Sequence, residues 1–142
     1  MQDLLKLDQQ LCFPIYLLSK EITALYRPLL DDLDLTYPQY LVMIVLWEHG
    51  SLHVGEIGER LHLDSGTLTP LLKRLESKQI VSRARGTSDE RIVEISLTEK
   101  GQSLKEKASC IPMQLMEQIN ISKEEQESFK HIIQKILNSV LK

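Results

Sequence analysis

Three observations predict a mainly α-helical fold carrying one small β-hairpin. Toward both ends of the chain apolar residues recur at spacings of three and four, the period of a helix face. Several of these runs open on a Thr, Ser or Asp placed as a helix cap. Between them Val93, Ile95 and Leu97 alternate with Ile92, Glu94 and Ser96, the period of a strand. With 142 residues, 42% hydrophobic and 5% aromatic, the chain is sized for one domain whose core is mainly Leu, Ile and Val.

The first helix is expected from about residue 8 to residue 30, with Leu11, Ile15, Leu18, Ile22 and Leu25 on one face. Pro28 and the aspartates at 31, 32 and 34 mark its end. Thr36 is placed to cap a second helix, because Gln39 lies in capping-box position and Pro38 is tolerated in a first turn. That helix runs to about Glu48 and stops at Gly50. A short extended piece, Leu52-His53-Val54, precedes a short helix from Gly55 to Leu61. His62-Leu63-Asp64 turns into a further helix, capped by Asp64 or Ser65 and reaching Lys78. Pro70 removes one of its hydrogen bonds, so either the first turn is irregular or the helix begins near Thr67.

Two helices joined by so short a turn match the helix-turn-helix pattern, whose second helix enters the major groove of DNA N-terminus first. Ser65, Thr67 and Thr69 are then the short polar groups near base edges, and Lys73 and Arg74 suit backbone phosphates. Ile80 to Arg85 and Arg91 to Leu97 are expected to pair as two antiparallel strands around the turn from Gly86 to Glu90. A hairpin directly behind a recognition helix is a wing. Arg83 and Arg85 share one strand face, and Arg91 sits at the loop, where it can enter a minor groove. Asp89, two residues away, can hold its guanidinium in a bidentate pair.

Charge supports this reading once its distribution is considered. The chain carries a net −3, yet the segment from Lys73 to Arg91 holds six basic residues against three acidic ones. Basic charge concentrated in one segment of an otherwise acidic chain is the footprint of a local phosphate-binding surface.

Thr98 opens another helix running to around Gln118, and Ser122 with Glu125 forms a capping box for the last one. There Phe129, Ile132, Ile133, Ile136, Leu137, Val140 and Leu141 fall on one stripe. Neither this stripe nor that of the first helix has a partner inside a small winged core, so a homodimer is expected, presenting two recognition helices to a pseudo-palindromic double-stranded operator. Residues 1–36 are read as a dimerising N-terminal helix, 37–97 as the DNA-binding region, and 98–142 as C-terminal dimerisation helices of one overall domain. No apolar run is long enough for a membrane span and no basic region precedes an apolar stretch at the N-terminus, so a cytoplasmic location is expected. The two cysteines form neither a disulfide framework nor a Cys-x-x-Cys pair, and no metal or other cofactor is expected.

These residues resemble the MarR-type winged-helix regulators, in particular the branch that senses organic hydroperoxides through a cysteine in the first helix, together with related staphylococcal regulators. The resemblance rests on Gln10-Leu11-Cys12-Phe13, on the run from Leu35 to Tyr40, on the run from Leu63 to Arg74, and on Asp89-Glu90-Arg91, which together span most of the chain. It implies that Cys12 is the sensing thiol and that Tyr26 and Tyr37 hold it. Tyr26 lies 14 residues beyond Cys12, about 21 Å along a straight helix, so the thiol of one subunit must meet the tyrosines of the other. Pro14 departs from the family pattern. In a first turn it leaves Cys12 at a helix N-terminus, where the macrodipole favours a thiolate; in a helix beginning near Asp8 it introduces a kink. In two-cysteine relatives a second cysteine resolves the oxidised thiol as an intersubunit disulfide. Cys110 lies in the matching region, the alternative being capture of Cys12 by a small thiol.

The function expected is that of a repressor released from DNA when organic hydroperoxide oxidises Cys12. The alternative is a MarR-type repressor released by a phenolic or apolar ligand. An enzyme is not expected, since no base or arginine beside Cys12 is evident to stabilise a peroxide leaving group.

Overall fold

The computed structural model describes residues 3–141. It is mainly helical with a small sheet. The chain divides into two compact units, one ending at Ser109 and the other beginning at Cys110.

In the first unit a 3-10 turn, Leu7–Gln9, precedes α1, Cys12–Asp31. The first helix thus begins at Cys12 rather than near residue 8. The side chain of Gln10 turns back onto the carbonyls of Leu4 and Lys6, and its own backbone is extended. Pro14 consequently occupies the first turn, where its missing N–H costs no helical bond, and the kinked alternative is excluded. At the other end α1 continues through Pro28 to Asp31. That proline leaves the Ala24 carbonyl without its helical donor but does not stop the helix.

Thr36 caps α2, Tyr37–His49, through the expected reciprocal box with Gln39, and Gly50 closes it at φ 76°. Leu52–His53 forms β1 and Val54–Leu61 forms α3, with His62 left-handed after it. Helix α4 spans Ser65–Ser77 with Asp64 as its cap. It begins ahead of Thr67 and encloses Pro70 in its interior, at the cost of the bond to the Gly66 carbonyl.

The hairpin is β2, Val81–Arg85, and β3, Val93–Leu97. The sheet has three strands rather than the two expected, in antiparallel order β1-β3-β2, because Leu52 and His53 pair with Ile95 and Glu94. The extended piece expected at Leu52-His53-Val54 supplies the third strand, which in two residues carries too little alternation to be assigned to a sheet from sequence. Helix α5, Glu99–Ala108, follows its cap Thr98.

The core of this unit gathers Leu30, Met43, Leu46, Ile57, Leu68, Leu72, Leu75 and Ile95, all essentially inaccessible. Each such side chain contributes roughly 1.5–3 kcal/mol. Gly101 permits the start of α5 to seat closely, since a Cβ there would lie 2.0 Å from the Ile80 carbonyl oxygen. Trp47 Nε1 donates to the Gly101 carbonyl at 3.0 Å.

The second unit contains α6, Ile111–Ile119, and α7, Lys123–Val140, with Asn120 left-handed between them. The single helix expected from 98 to 118 is therefore two. Pro112 has no N–H to carry the ladder back to the Ala108 carbonyl, and the chain breaks across Ser109 and Cys110. The Ser122–Glu125 capping box is present. Among the described residues no helix is long and apolar enough to cross a membrane.

Candidate nucleic-acid interface and thiol site

Helix α4 is two-faced. Leu68, Leu71, Leu72 and Leu75 are buried at spacings of three and four, whereas Ser65, Gly66, Thr67, Lys73 and Arg74 are exposed and Thr69 is half-buried. Asp64 Oδ1 accepts the Thr67 N–H at 2.8 Å, and hydrogen bonding to Thr67, side chain and then backbone, holds its carboxyl below the usual carboxylate range. The cap fixes where the first turn begins, and with it the position of the three hydroxyls, of Ser65, Thr67 and Thr69, expected near bases.

The wing is a tight loop. Gly86 donates to the Ile92 carbonyl at 2.7 Å, and a Cβ on Gly86 would lie 2.7 Å from the Asp89 carbonyl oxygen. Asp89 holds Arg91 in the expected fork, with Nε to Oδ1 at 3.1 Å and Nη2 to Oδ2 at 3.2 Å, and also accepts the Arg91 backbone N–H at 3.0 Å. The Arg91 side chain nevertheless remains 91% exposed. Its bonds to Arg91, side chain first, keep the Asp89 carboxyl below the usual range, so the fork is charged on both sides at neutral pH. Arg85 is exposed and donates to the Glu90 carbonyl at 3.0 Å, bracing the loop. Arg83 is opposite buried Ile95 in the ladder, is half-buried, and has its Nε enclosed. Of the expected basic contacts, Lys73, Arg74, Arg85 and Arg91 thus have exposed side chains, while Arg83 lies partly against the sheet. If the wing reads DNA, Arg91→Ala weakens operator binding about 5–150-fold and flattens the salt dependence. Unchanged affinity and slope in a salt titration would remove Arg91 from the interface.

Cys12 is the first helical residue of α1 and is exposed; Cys110 is exposed at the N-cap of α6. Tyr26 on α1 and Tyr37, the first residue of α2, meet with ring centroids 4.6 Å apart. The sequence reading missed Tyr40, one turn beyond Tyr37, whose ring lies 5.7 Å from Tyr26 and 6.3 Å from Tyr37. Its i+3 spacing from Tyr37 was the available signal. Burial first, and then the neighbouring Tyr37 and Tyr40, push the Tyr26 phenol up to about 12. Burial likewise raises Tyr37 and Tyr40. All three are therefore neutral O–H groups at physiological pH, and among the described residues none of these hydroxyls has a hydrogen-bond partner. Because α1 is one continuous helix from Cys12 to Asp31, the rise of about 21 Å between Cys12 and Tyr26 stands, and the structure does not bring Cys12 to the tyrosines of its own chain.

Residues 24–108 match the family of SarA/Rot transcriptional regulators. The chain belongs to this family. Over 92% of its length it is 52% identical to the organic hydroperoxide resistance transcriptional regulator of Bacillus subtilis, covering 86% of that protein. It is 46% identical to the regulator SarZ of Staphylococcus aureus, with 84% of this chain and 80% of SarZ covered. Among solved structures, reduced AbfR bound to DNA, from Staphylococcus epidermidis, has a TM-score of 0.81 at 34% identity and covers 96% of this chain and 95% of its own. The disulfide form of AbfR has a TM-score of 0.64 at 34% identity, covering 94% of this chain and 89% of its own. This SarA/Rot-family chain is thus a transcriptional regulator, not an enzyme, and its fold is the MarR-like winged helix expected from the sequence.

Proposed function

We propose that this regulator is a homodimeric, cytoplasmic repressor that senses organic hydroperoxide through Cys12 and leaves a pseudo-palindromic operator on oxidation. The observation that carries the proposal is the placement of Cys12 at the start of one unbroken helix and of Tyr26, paired with Tyr37 of α2, toward its other end. A two-fold dimer that crosses these helices brings the thiol of one subunit to the tyrosine hydroxyls of the other. The thiolate sulfur attacks the peroxide; an S–O bond forms, the O–O bond breaks, and the distal fragment leaves as an alcohol after taking up a proton. The two phenols are donors to the sulfur before this step, and the added oxygen displaces that arrangement. A resolving thiol, Cys110 of the partner subunit or a small thiol, then forms a disulfide with release of water.

The dimer is supported by two uncovered apolar faces, one over residues 11–18 and one along α7, within the regions 1–36 and 98–142 read as dimerising. DNA binding rests on α4 and the wing, within 37–97. The name of the Bacillus subtilis relative supports organic hydroperoxide as the oxidant, and the existence of AbfR structures reduced on DNA and as a disulfide supports redox control.

A second reading is favoured by a cleft of ≈ 370 Å³ lined by Thr23, Arg27, Leu30, Leu35, Tyr37 and Lys78 among others, large enough for a small phenolic effector. The deciding experiment measures binding to the protein's own promoter region before and after stoichiometric cumene hydroperoxide, with non-reducing electrophoresis of the same samples. Loss of binding with a dimer-sized band reversed by reductant is expected if Cys110 resolves Cys12; loss without the band places the oxidation on Cys12 alone. Unchanged binding would reject the redox reading in favour of the ligand.

A further inference from the structure

Lys78 belongs by sequence to the basic cluster, but its head group faces inward. Its Nζ donates to the Asp34 carbonyl and, at 3.0 Å, to Gln39 Oε1, and it lies 3.8 Å from the Asp34 carboxylate. The side chain is 28% exposed. Gln39, only 3% exposed, is the one buried polar side chain among the described residues. Its Oε1 also accepts the Thr36 N–H at 3.1 Å, so one oxygen serves both the α2 capping box and Lys78. Tyr37 stands between Thr36 and Gln39 within that box.

The other end of the tether is equally fixed. Lys78 is the C-cap of α4; its carbonyl accepts from Lys100 at 3.1 Å, and the next carbonyl, that of Gln79, accepts from Thr98 Oγ1 at 2.7 Å. Both connections pass through left-handed residues, Asp34 at φ 53° and Gln79 at φ 63°. Without Lys78, the oxygen of the buried Gln39 side chain keeps only the Thr36 N–H as a donor, so the lysine completes an otherwise half-satisfied group.

We infer that Lys78 is a positioning residue: it ties the base of the recognition helix to the turn that carries Tyr37, and through Gln39 it transmits displacement of that turn to α4. Helix α4 has 13 residues. At a length of about 20 Å, a tilt of about 3° at the Lys78 end carries Ser65 by about 1 Å, a distance that matters to base contacts. The transmission half of the inference rests on the sensor reading above; the positioning half does not.

The test measures anisotropy of the labelled promoter region with reduced, full-length wild type, Lys78→Met and Lys78→Arg across a salt series, and again after cumene hydroperoxide. Lys78→Met is expected to bind about tenfold more weakly when reduced, with the salt slope of wild type, and Lys78→Arg to restore affinity by reaching the same acceptors. Unchanged affinity overturns the inference. So does a slope reduced by about 0.9, which would make Lys78 a phosphate contact. On oxidation, Lys78→Met should show a smaller fold-change than wild type while Cys12 is oxidised at the same rate; an equal fold-change overturns the transmission. If wild type itself does not respond, the sensor reading fails and the positioning result from reduced protein remains. Should Lys78→Met lose its cooperative thermal transition, Lys78→Gln, which keeps a polar head, replaces it.

Discussion

Replacing Cys12 by serine should abolish the response to peroxide while leaving the affinity of the reduced protein for its operator within about twofold of wild type, as for an exposed side chain outside the recognition surface. Cys12 is exposed at the first residue of α1, whereas the proposed reading surface lies on α4 and the wing, so on that reading removing its sulfur disturbs no base or phosphate contact. Serine keeps a hydroxyl that Tyr26 and Tyr37 can hold but offers the peroxide no sulfur to oxidise. Wild type is expected to lose about 5–150-fold in affinity on oxidation, the usual span of coupling between two sites, and the serine variant none. A serine variant that still leaves DNA after stoichiometric cumene hydroperoxide would place the sensor elsewhere. One that ignores peroxide yet leaves DNA with a phenolic compound would favour the cleft beside Tyr37. Because the phenols are kept protonated by burial, with Tyr26 at about 12, their ability to donate to the sulfur does not change between pH 6 and 9. Over that range any pH dependence of the response must arise outside them.

The elements of this fold that announce themselves in sequence are those whose cause is local. The Thr36–Gln39 and Ser122–Glu125 boxes, the Gly50 stop and the Asp89–Arg91 fork each depend on residues a few positions apart, and each is present. The departures have non-local or competing causes. Leu52–His53 becomes a strand only because β3 runs beside it. Pro28 and Pro70 were expected to end or disturb helices that tertiary packing sustains through them, with Leu30 buried just after the first and Leu71 and Leu72 just after the second. Just ahead of Pro112, which sits in the first turn of α6, the chain does break, across Ser109 and Cys110. The tyrosine pair became visible through a family resemblance, and the i+3 spacing of Tyr40 from Tyr37 was there to be read, whereas the inward turn of Lys78 depends on contacts 39 to 44 residues apart, which no spacing rule reaches.

Introducing charge into the apolar stripe of α7, as in the double variant Ile133→Asp and Leu137→Asp, should convert the protein to a monomer. Phe129, Ile132, Ile133, Ile136, Leu137 and Val140 recur at helical spacing and remain uncovered in the single chain, with Val140 as much as 64% exposed. Covering such side chains stabilises an interface by roughly 1.5–3 kcal/mol each, and burying an unpaired carboxylate among them costs more than that. The substituted positions are exposed in the subunit, so the helical fold should persist while sedimentation equilibrium at micromolar concentration reports half the mass. Operator affinity should then fall by about a hundredfold or more, because one recognition helix no longer holds the other near its half-site. The same variant examines the sensor. If the tyrosines act on the thiol of the opposite subunit, a monomer has no donors at Cys12, and its oxidation by cumene hydroperoxide should slow to the rate of an ordinary exposed thiol. A monomer that oxidises at the dimer's rate would mean that Cys12 is activated within its own chain, and the reading built on the unbroken helix between Cys12 and Tyr26 would have to be abandoned.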